Sequence, residues 1–318
     1  MRKSCWCLLI IMAILMLASP MMAYLPSRKL VSGQIVQKKW ASSAPIPWRM
    51  NPAVNSDVTG SREPAEVFRA GFQTWQSVST ATVSFSEGAV ATATKQGFDC
   101  SNTISTNLTT SDFASGAIAL AFVFTFDSTG IDSCGRTIDF GGQILEADIV
   151  FNPDFLLSTS DVTPTTHFDL QAVATHEIGH LLGLDHTGLM RGMMFPFGDE
   201  GKSQDRVLST DDVIGVSTIY PASGFASSHG SISGTVQTDG GQLVYGAMVV
   251  VVDGNGIPVA TMVTDPSGNY RIDGLEAGNY TAYAEPLDKP VQFSNMSSLG
   301  VIYPGSTPLT AFTTRFKP

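Results

Sequence analysis

The stretch Thr175-His-Glu-Ile-Gly-His-Leu-Leu-Gly-Leu-Asp-His186 decides how the rest of this 318-residue chain is read. Its spacing is H-E-x-x-H-x-x-G-x-x-H, and Met194 follows the last histidine. On an α-helix, residues i and i+4 stand one turn apart on one face, so His176 and His180 can offer two imidazole nitrogens to one metal ion. The flanks support a helix, because Leu170, Val173, Ala174, Ile178, Leu181 and Leu182 recur at helical intervals after Asp169. Gly183 supplies the left-handed residue that ends such a helix. The chain can then turn and return His186 as a third ligand. Three protein ligands leave a fourth position open, which is the catalytic rather than the closed structural arrangement of zinc. Glu177, next to the first ligand, is placed to take a proton from a water activated there. Of five histidines in the chain, three fall at ligand spacing. His167, in Thr-Pro-Thr-Thr-His-Phe, and His229, in a Ser/Gly-rich stretch, read as surface residues.

The run resembles the metzincin metallopeptidases, and within them the matrixins. Thr187 follows the third histidine, where matrixins carry Ser or Thr, and Gly192-Met-Met-Phe-Pro196 is similar to the matrixin Met-turn, with Met194 beneath the metal. Pro196 stands where astacin- and serralysin-like relatives place a tyrosine, so no tyrosine ligand is expected. Leu208 to Tyr220 resembles the last helix of a matrixin catalytic domain, and Ala70-Gly-Phe-Gln-Thr-Trp-Gln-Ser-Val-Ser resembles the first. Ser209 reads as an N-cap, with Asp211 and Asp212 at the positive end of the helix dipole. Capping is the preferred reading of these two acids, and the resemblance implies that one of them also holds the Met-turn backbone. The resemblance implies an α+β fold with a zincin-like catalytic domain, a twisted mixed sheet with long helices, one catalytic Zn2+, and hydrolysis of internal peptide bonds. It also implies that Ala117 to Phe126 forms the sheet edge above the metal, to which a substrate peptide adds as a strand. Mammalian matrixins carry a histidine there for a second, structural zinc; the matching position here is Leu120, which puts that second site in doubt. The loop from Asp127 to Asp139 has acids and glycines suited to Ca2+, but solvated turns explain them equally well and no calcium ligand is assigned.

Upstream, Met1 to Ala23 reads as a signal peptide. Arg2 and Lys3 precede an apolar core, Leu8 to Leu17, too short to span a bilayer, and Ala23 closes a plausible cleavage site. No membrane span is expected after cleavage. Cys100 and Cys134 are then the cysteines of the mature chain, and an even pair in an exported protein points to one disulfide; two free buried thiols are the alternative. Neither has metal-finger spacing or the upstream position of a matrixin-type cysteine switch, and residues 24–39 are too short for a folded propeptide. Within the expected catalytic domain, residues 40–221, Pro47-Trp-Arg-Met50, Val83-Ser-Phe-Ser and Glu146 to Phe151 read as strands. Glu63 to Ser77 reads as an amphipathic helix with Phe68, Phe72 and Trp75 on its core face.

Past Pro221 the composition changes. Residues 222–230 form a small polar linker. Short strands follow at Ser231 to Val236, Ala247 to Val252, Val259 to Val263, Tyr270 to Ile272 and Tyr280 to Ala284, with a turn at Asp265-Pro-Ser-Gly-Asn269. This pattern predicts a β-sandwich over 231–318. It is similar to the carboxypeptidase regulatory-like, or prealbumin-like, domains in Gly234, Gly246-Ala247, Asp265, Gly268, Tyr270, Gly274-Leu275, Gly278 and Tyr280. The net charge of −10 argues against nucleic-acid partners. The chain therefore reads as a secreted or cell-envelope monomer acting on protein or peptide substrates. A non-enzymatic adhesin with a structural zinc is the competing reading.

Overall fold

A computed structural model describes residues 26–317, except 42–43, 93–95, 108–115 and 289; the expected signal peptide lies outside the described residues. The described chain opens with a hairpin of β1 (Arg28–Val31) and β2 (Gln34–Gln37), turned at Ser32 and Gly33. Both turn residues have positive φ, 50° and 81°, the conformation two-residue hairpin turns require. The segment read as too short for a propeptide is thus still a paired unit. It is tied down where Ser27 N donates to Gly183 O at 2.8 Å.

β3 (Ile46–Val54) buries Ile46 and Trp48 and exposes Pro47 and Arg49, the alternation of a half-buried strand. After β4 (Val58–Thr59), α1 (Pro64–Gln76) starts with proline at its first turn and buries Val67, Phe68, Phe72 and Trp75. Next come β5 (Phe85–Glu87), β6 (Thr103–Thr106), β7 (Ala119–Thr125), the small hairpin β8 (Gly130–Ile131) with β9 (Thr137–Ile138), and β10 (Ile144–Phe151). The sheet order is β5-β3-β6-β10-β7. β3 runs parallel to β5 and β6, β6 parallel to β10, and β7 antiparallel to β10 at the edge. The sheet is therefore mixed, with the expected edge strand in place.

β11 (Leu157–Ser158) and β12 (Phe168–Asp169) join β4 in a small second sheet. α2 (Leu170–Leu181) then packs on α1 and lies against β7 and β10. α3 (Thr210–Ile219) closes this half. The three helices have 13, 12 and 10 residues. Trp48, Phe68, Trp75, Ile149, Phe151, Leu170, Ile178 and Met194 belong to one continuous core.

Residues 222–230, read as a linker, contain the helical turn α4 (Phe225–Ser228) with Phe225 buried. The chain continues as β13 (Gly230–Thr235), β14 (Ala247–Val252), β15 (Pro258–Val263), β16 (Asn269–Leu275) and β17 (Thr281–Pro286), then α5 (Leu299–Ile302) and β18 (Arg315–Lys317). β13 pairs with β16, and β15-β14-β17-β18 form a second antiparallel sheet, giving the expected all-β arrangement. This half docks on the first. α3 lies on β15 and β16, and Ile214 of α3 is part of the sandwich core. Gly274 has φ of 78°, and a Cβ there would sit 3.0 Å from both Ile214 and Phe225, so the strand approaches α3 too closely for a side chain.

Candidate metal centre

α2 begins at Asp169, whose carboxylate accepts the N–H of Ala172 at 2.8 Å. It buries Leu170, Ala174, Ile178 and Leu181. The crossing with α1 is close because Gly71 faces it: a Cβ there would lie 3.1 Å from Ile178 and 3.2 Å from Thr175. Trp75 Nε1 donates to Thr175 O across the same contact. With the apolar face committed to the core, His176 and His180 emerge together on the other side. Gly183 ends the helix at φ of 90°, with its N–H on His180 O, and a Cβ there would collide with Lys38 O at 2.2 Å. The turn that follows brings His186 back, as the sequence spacing anticipated.

The three rings come together. His176, His180 and His186 have ring centroids 4.7–5.3 Å apart, and their candidate ligand atoms all lie within 4.8 Å of one another. His180 Nε2 and His186 Nε2 are 3.2 Å apart. The outward nitrogens explain this geometry. Nδ1 of His176 lies 2.7 Å from Met193 O, Nδ1 of His180 lies 2.9 Å from Leu184 O, and Nδ1 of His186 lies 2.6 Å from Asn295 O. A carbonyl oxygen only accepts, so each Nδ1 carries the proton and each Nε2 presents a lone pair inward. Burial, aided by the neighbouring imidazoles, holds His176 well below its usual pKa and His180 down to about 3, so both are neutral. Inward lone pairs at hydrogen-bond distance with no proton between them call for a cation. Two nitrogens about 2.0–2.1 Å from one tetrahedral zinc would be about 3.3–3.4 Å apart, close to the observed separation. The donor set fits zinc.

Glu177 is buried between the two helical histidines in sequence, and burial pushes its carboxyl up to about 8 against the opposing hydrogen bond from the Ala121 backbone of β7. Glu177 thus touches the edge strand directly.

Behind the rings, Met194 is fully buried and packs against Gly179, where a Cβ would lie 2.2 Å from its sulfur. Any side chain at position 179 displaces that methionine. The sequence reading passed over Gly179, although its place directly before the second histidine was visible. Asp212 holds the Met-turn: its carboxylate accepts Met193 N at 2.7 Å and Met194 N at 3.1 Å, and also completes a capping box with Ser209. For Asp211, capping is not what the contacts show. Its fully buried carboxylate accepts Thr187 Oγ1 at 2.6 Å and Thr261 N at 2.8 Å, and Thr261 lies on β15. Burial pushes this carboxyl up to about 7.

The remaining expectations fall elsewhere. Cys100 and Cys134 form a disulfide with a Cα–Cα distance of 5.8 Å. In the loop considered for calcium, the Asp132 carboxylate accepts Cys134 N, Arg136 N and Arg136 Nε, and Asp127 pairs with Lys29. Leu120 sits on β7 opposite Val150. His167 contacts Thr59 and Thr166, and His229 stacks on Phe225 with ring centroids 4.2 Å apart. Both lie apart from the triad, and both are half-buried rather than fully exposed.

Comparison with known proteins agrees with this geometry. The matrixin family model matches residues 39–221, and the carboxypeptidase regulatory-like domain model matches residues 231–288. Metalloendoproteinase 1 of Glycine max is 39% identical over 70 residues, 21% of this chain and 23% of that protein. Metalloendoproteinase 2-MMP of Arabidopsis thaliana is 43% identical over 63 residues, 20% of this chain and 16% of its own length. Matrilysin of Rattus norvegicus is 42% identical over 48 residues, 15% of this chain and 18% of its own length. The chain spans about a fifth of the length of the curated relatives it matches.

Proposed function

The chain belongs to the matrixin family, and on that premise we propose that it is a zinc-dependent endopeptidase acting on proteins outside the cytosol. The observation that carries the reading is the triad itself: three inward Nε2 atoms, each oriented by a carbonyl on its Nδ1. His176, His180 and His186 would hold the ion. Zinc bound there would supply a Lewis acid that polarises a carbonyl and lowers the pKa of water to about 7. Every other step belongs to the protein. β7 presents its outer edge, and an extended substrate would add to it by backbone hydrogen bonds. Glu177, tethered to that strand through Ala121, takes the proton of the attacking water and returns it to the departing amine. Met194 and Gly179 form the floor that fixes the ring positions. The leader expected at Met1 to Ala23 and the Cys100–Cys134 disulfide support export to an oxidising compartment. Among the described residues, no helix is long and apolar enough to cross a membrane.

Glu177→Ala in the full chain tests this. Zinc content should be retained while cleavage of a denatured protein substrate falls about 10²–10⁴-fold. A chelator should abolish cleavage by the unaltered chain. Undiminished cleavage in the variant would refute the general-base role; bound zinc with no cleavage by the unaltered chain would favour the adhesin reading.

A further inference from the structure

The carbonyls that orient His176 and His180 come from the half of the chain that carries the helix. The carbonyl that orients His186 does not. It belongs to Asn295, 109 residues further on, in the segment that follows the last long strand of the sandwich. We propose that Asn295–Ser298 is a positioning element of the metal centre, so that binding of the metal and docking of the β-sandwich are coupled. The inference rests on the zinc reading of the triad.

Three consecutive residues carry the coupling. The Asp185 carboxylate, fully buried, accepts Ser297 N at 3.2 Å, Ser297 Oγ at 2.8 Å and Ser298 N at 2.8 Å, while its Oδ1 also accepts His186 N. His186 donates to Asn295 O. Thr187 donates to Asp211, which holds Thr261 of β15, and the two threonine hydroxyls are 2.9 Å apart. The residue before the third ligand, the ligand and the residue after it are thus each bonded to, or bridged to, the C-terminal half. A tether would leave this loop to solvent; here solvent is replaced by fixed partners. The Asn295 carbonyl is itself held, because Asn295 N donates to Gln292 O and Gln292 N donates to Asn295 Oδ1. Arg28 N donates to Ser298 Oγ at 2.9 Å, so the N-terminal hairpin braces the same segment from behind.

Removing an outer partner of a ligating histidine lowers metal affinity about 10–100-fold, and because coupling is reciprocal, metal should tighten docking by the same factor. The test uses the full-length chain. Ser298→Asp buries a second carboxylate against Asp185. Chelator competition should show zinc affinity down about 10–100-fold. Proton NMR of the zinc-loaded, unaltered chain should show three protected imidazole Nδ1–H resonances. In the variant, the His186 resonance should be lost while those of His176 and His180 persist, a pattern that general destabilisation would not produce. If Ser298→Asp does not fold, Ser297→Ala removes one hydroxyl donor and should lower affinity about two- to tenfold, the worth of one hydrogen bond. Equal zinc affinity in variant and unaltered chain, with the His186 resonance intact, overturns the coupling alone. An unaltered chain that takes up no zinc overturns the metal reading and the coupling with it.

Discussion

β10 and β14 each run through the interior of a sheet and each is buried almost throughout, yet β10 reads Ile-Leu-Glu-Ala-Asp-Ile-Val-Phe and β14 reads Ala-Met-Val-Val-Val-Val. The two acids of β10 hold irregular backbone. Glu146 accepts the N–H groups of Asp99 and Cys100, and Asp148 accepts those of Gly97 and Thr103. The device recurs in Asp185, which grips Ser297 and Ser298, and in Asp212, which grips the Met-turn. Among the described residues, every buried Asp or Glu precedes residue 222. The difference follows from what each half must fix. A strand ladder satisfies its own N–H groups, so the sandwich can bury plain hydrocarbon. Loops that position chemistry have no ladder, and a carboxylate offers two oxygens to several donors at once.

The contrast can be broken from either side. The largest effect should come from Val250→Asp in β14, which places a carboxylate among hydrocarbon with no N–H groups left to receive. We expect a loss of about 5 kcal/mol or more in urea denaturation. A loss under about 2 kcal/mol would mean that β14 tolerates charge as β10 does. Next is Asp212→Ala, which strips an acceptor from Met193 N, Met194 N and Ser209 N. It should lower stability by about 3–4 kcal/mol even without metal, as a lost cap plus unpaired buried donors. An unmoved urea midpoint would remove this carboxylate from its clamping role.

The third lever is pH. Burial pushes the Asp148 and Asp211 carboxyls up to about 7, so the folded state keeps protons that the unfolded chain gives up near the ordinary carboxylate value. Their contribution to stability is therefore full below about pH 4 and drains away as pH rises through about 7. Thermal melting followed from pH 4 to 8 should show that decline, and it should be shallower in Asp148→Asn/Asp211→Asn. Identical slopes would show that these acids are ionised in the fold at little expense.

What the sequence made legible was local. The spacing of His176, His180 and Gly183 encodes one helical face and its end, and the structure reproduces it. The helix on Phe68, Phe72 and Trp75 and the strands of the sandwich follow from periodicity in the same way. The partners of the site were harder to see because they are distant and generic. Asn295 contributes a backbone carbonyl, which every residue has. Asp211 looked like a cap because its place at the start of α3 is what a cap requires; its role appeared only with Thr187 and Thr261 beside it. Gly179 was visible, but its meaning depends on where the sulfur of Met194 lies.

The bond from His186 to Asn295 also sets a sequence of events. A chain emerging from its N-terminus exposes all three histidines long before residue 295 exists. The bond between Arg28 and Ser298 joins residues 270 positions apart, so the brace closes later still. Contacts of such range form slowly, since the intervening chain must first be gathered in. A partial chain can hold the three ring nitrogens without holding them in register. The site is thus finished only when residue 295 has joined the fold, 109 residues after the last histidine of its signature.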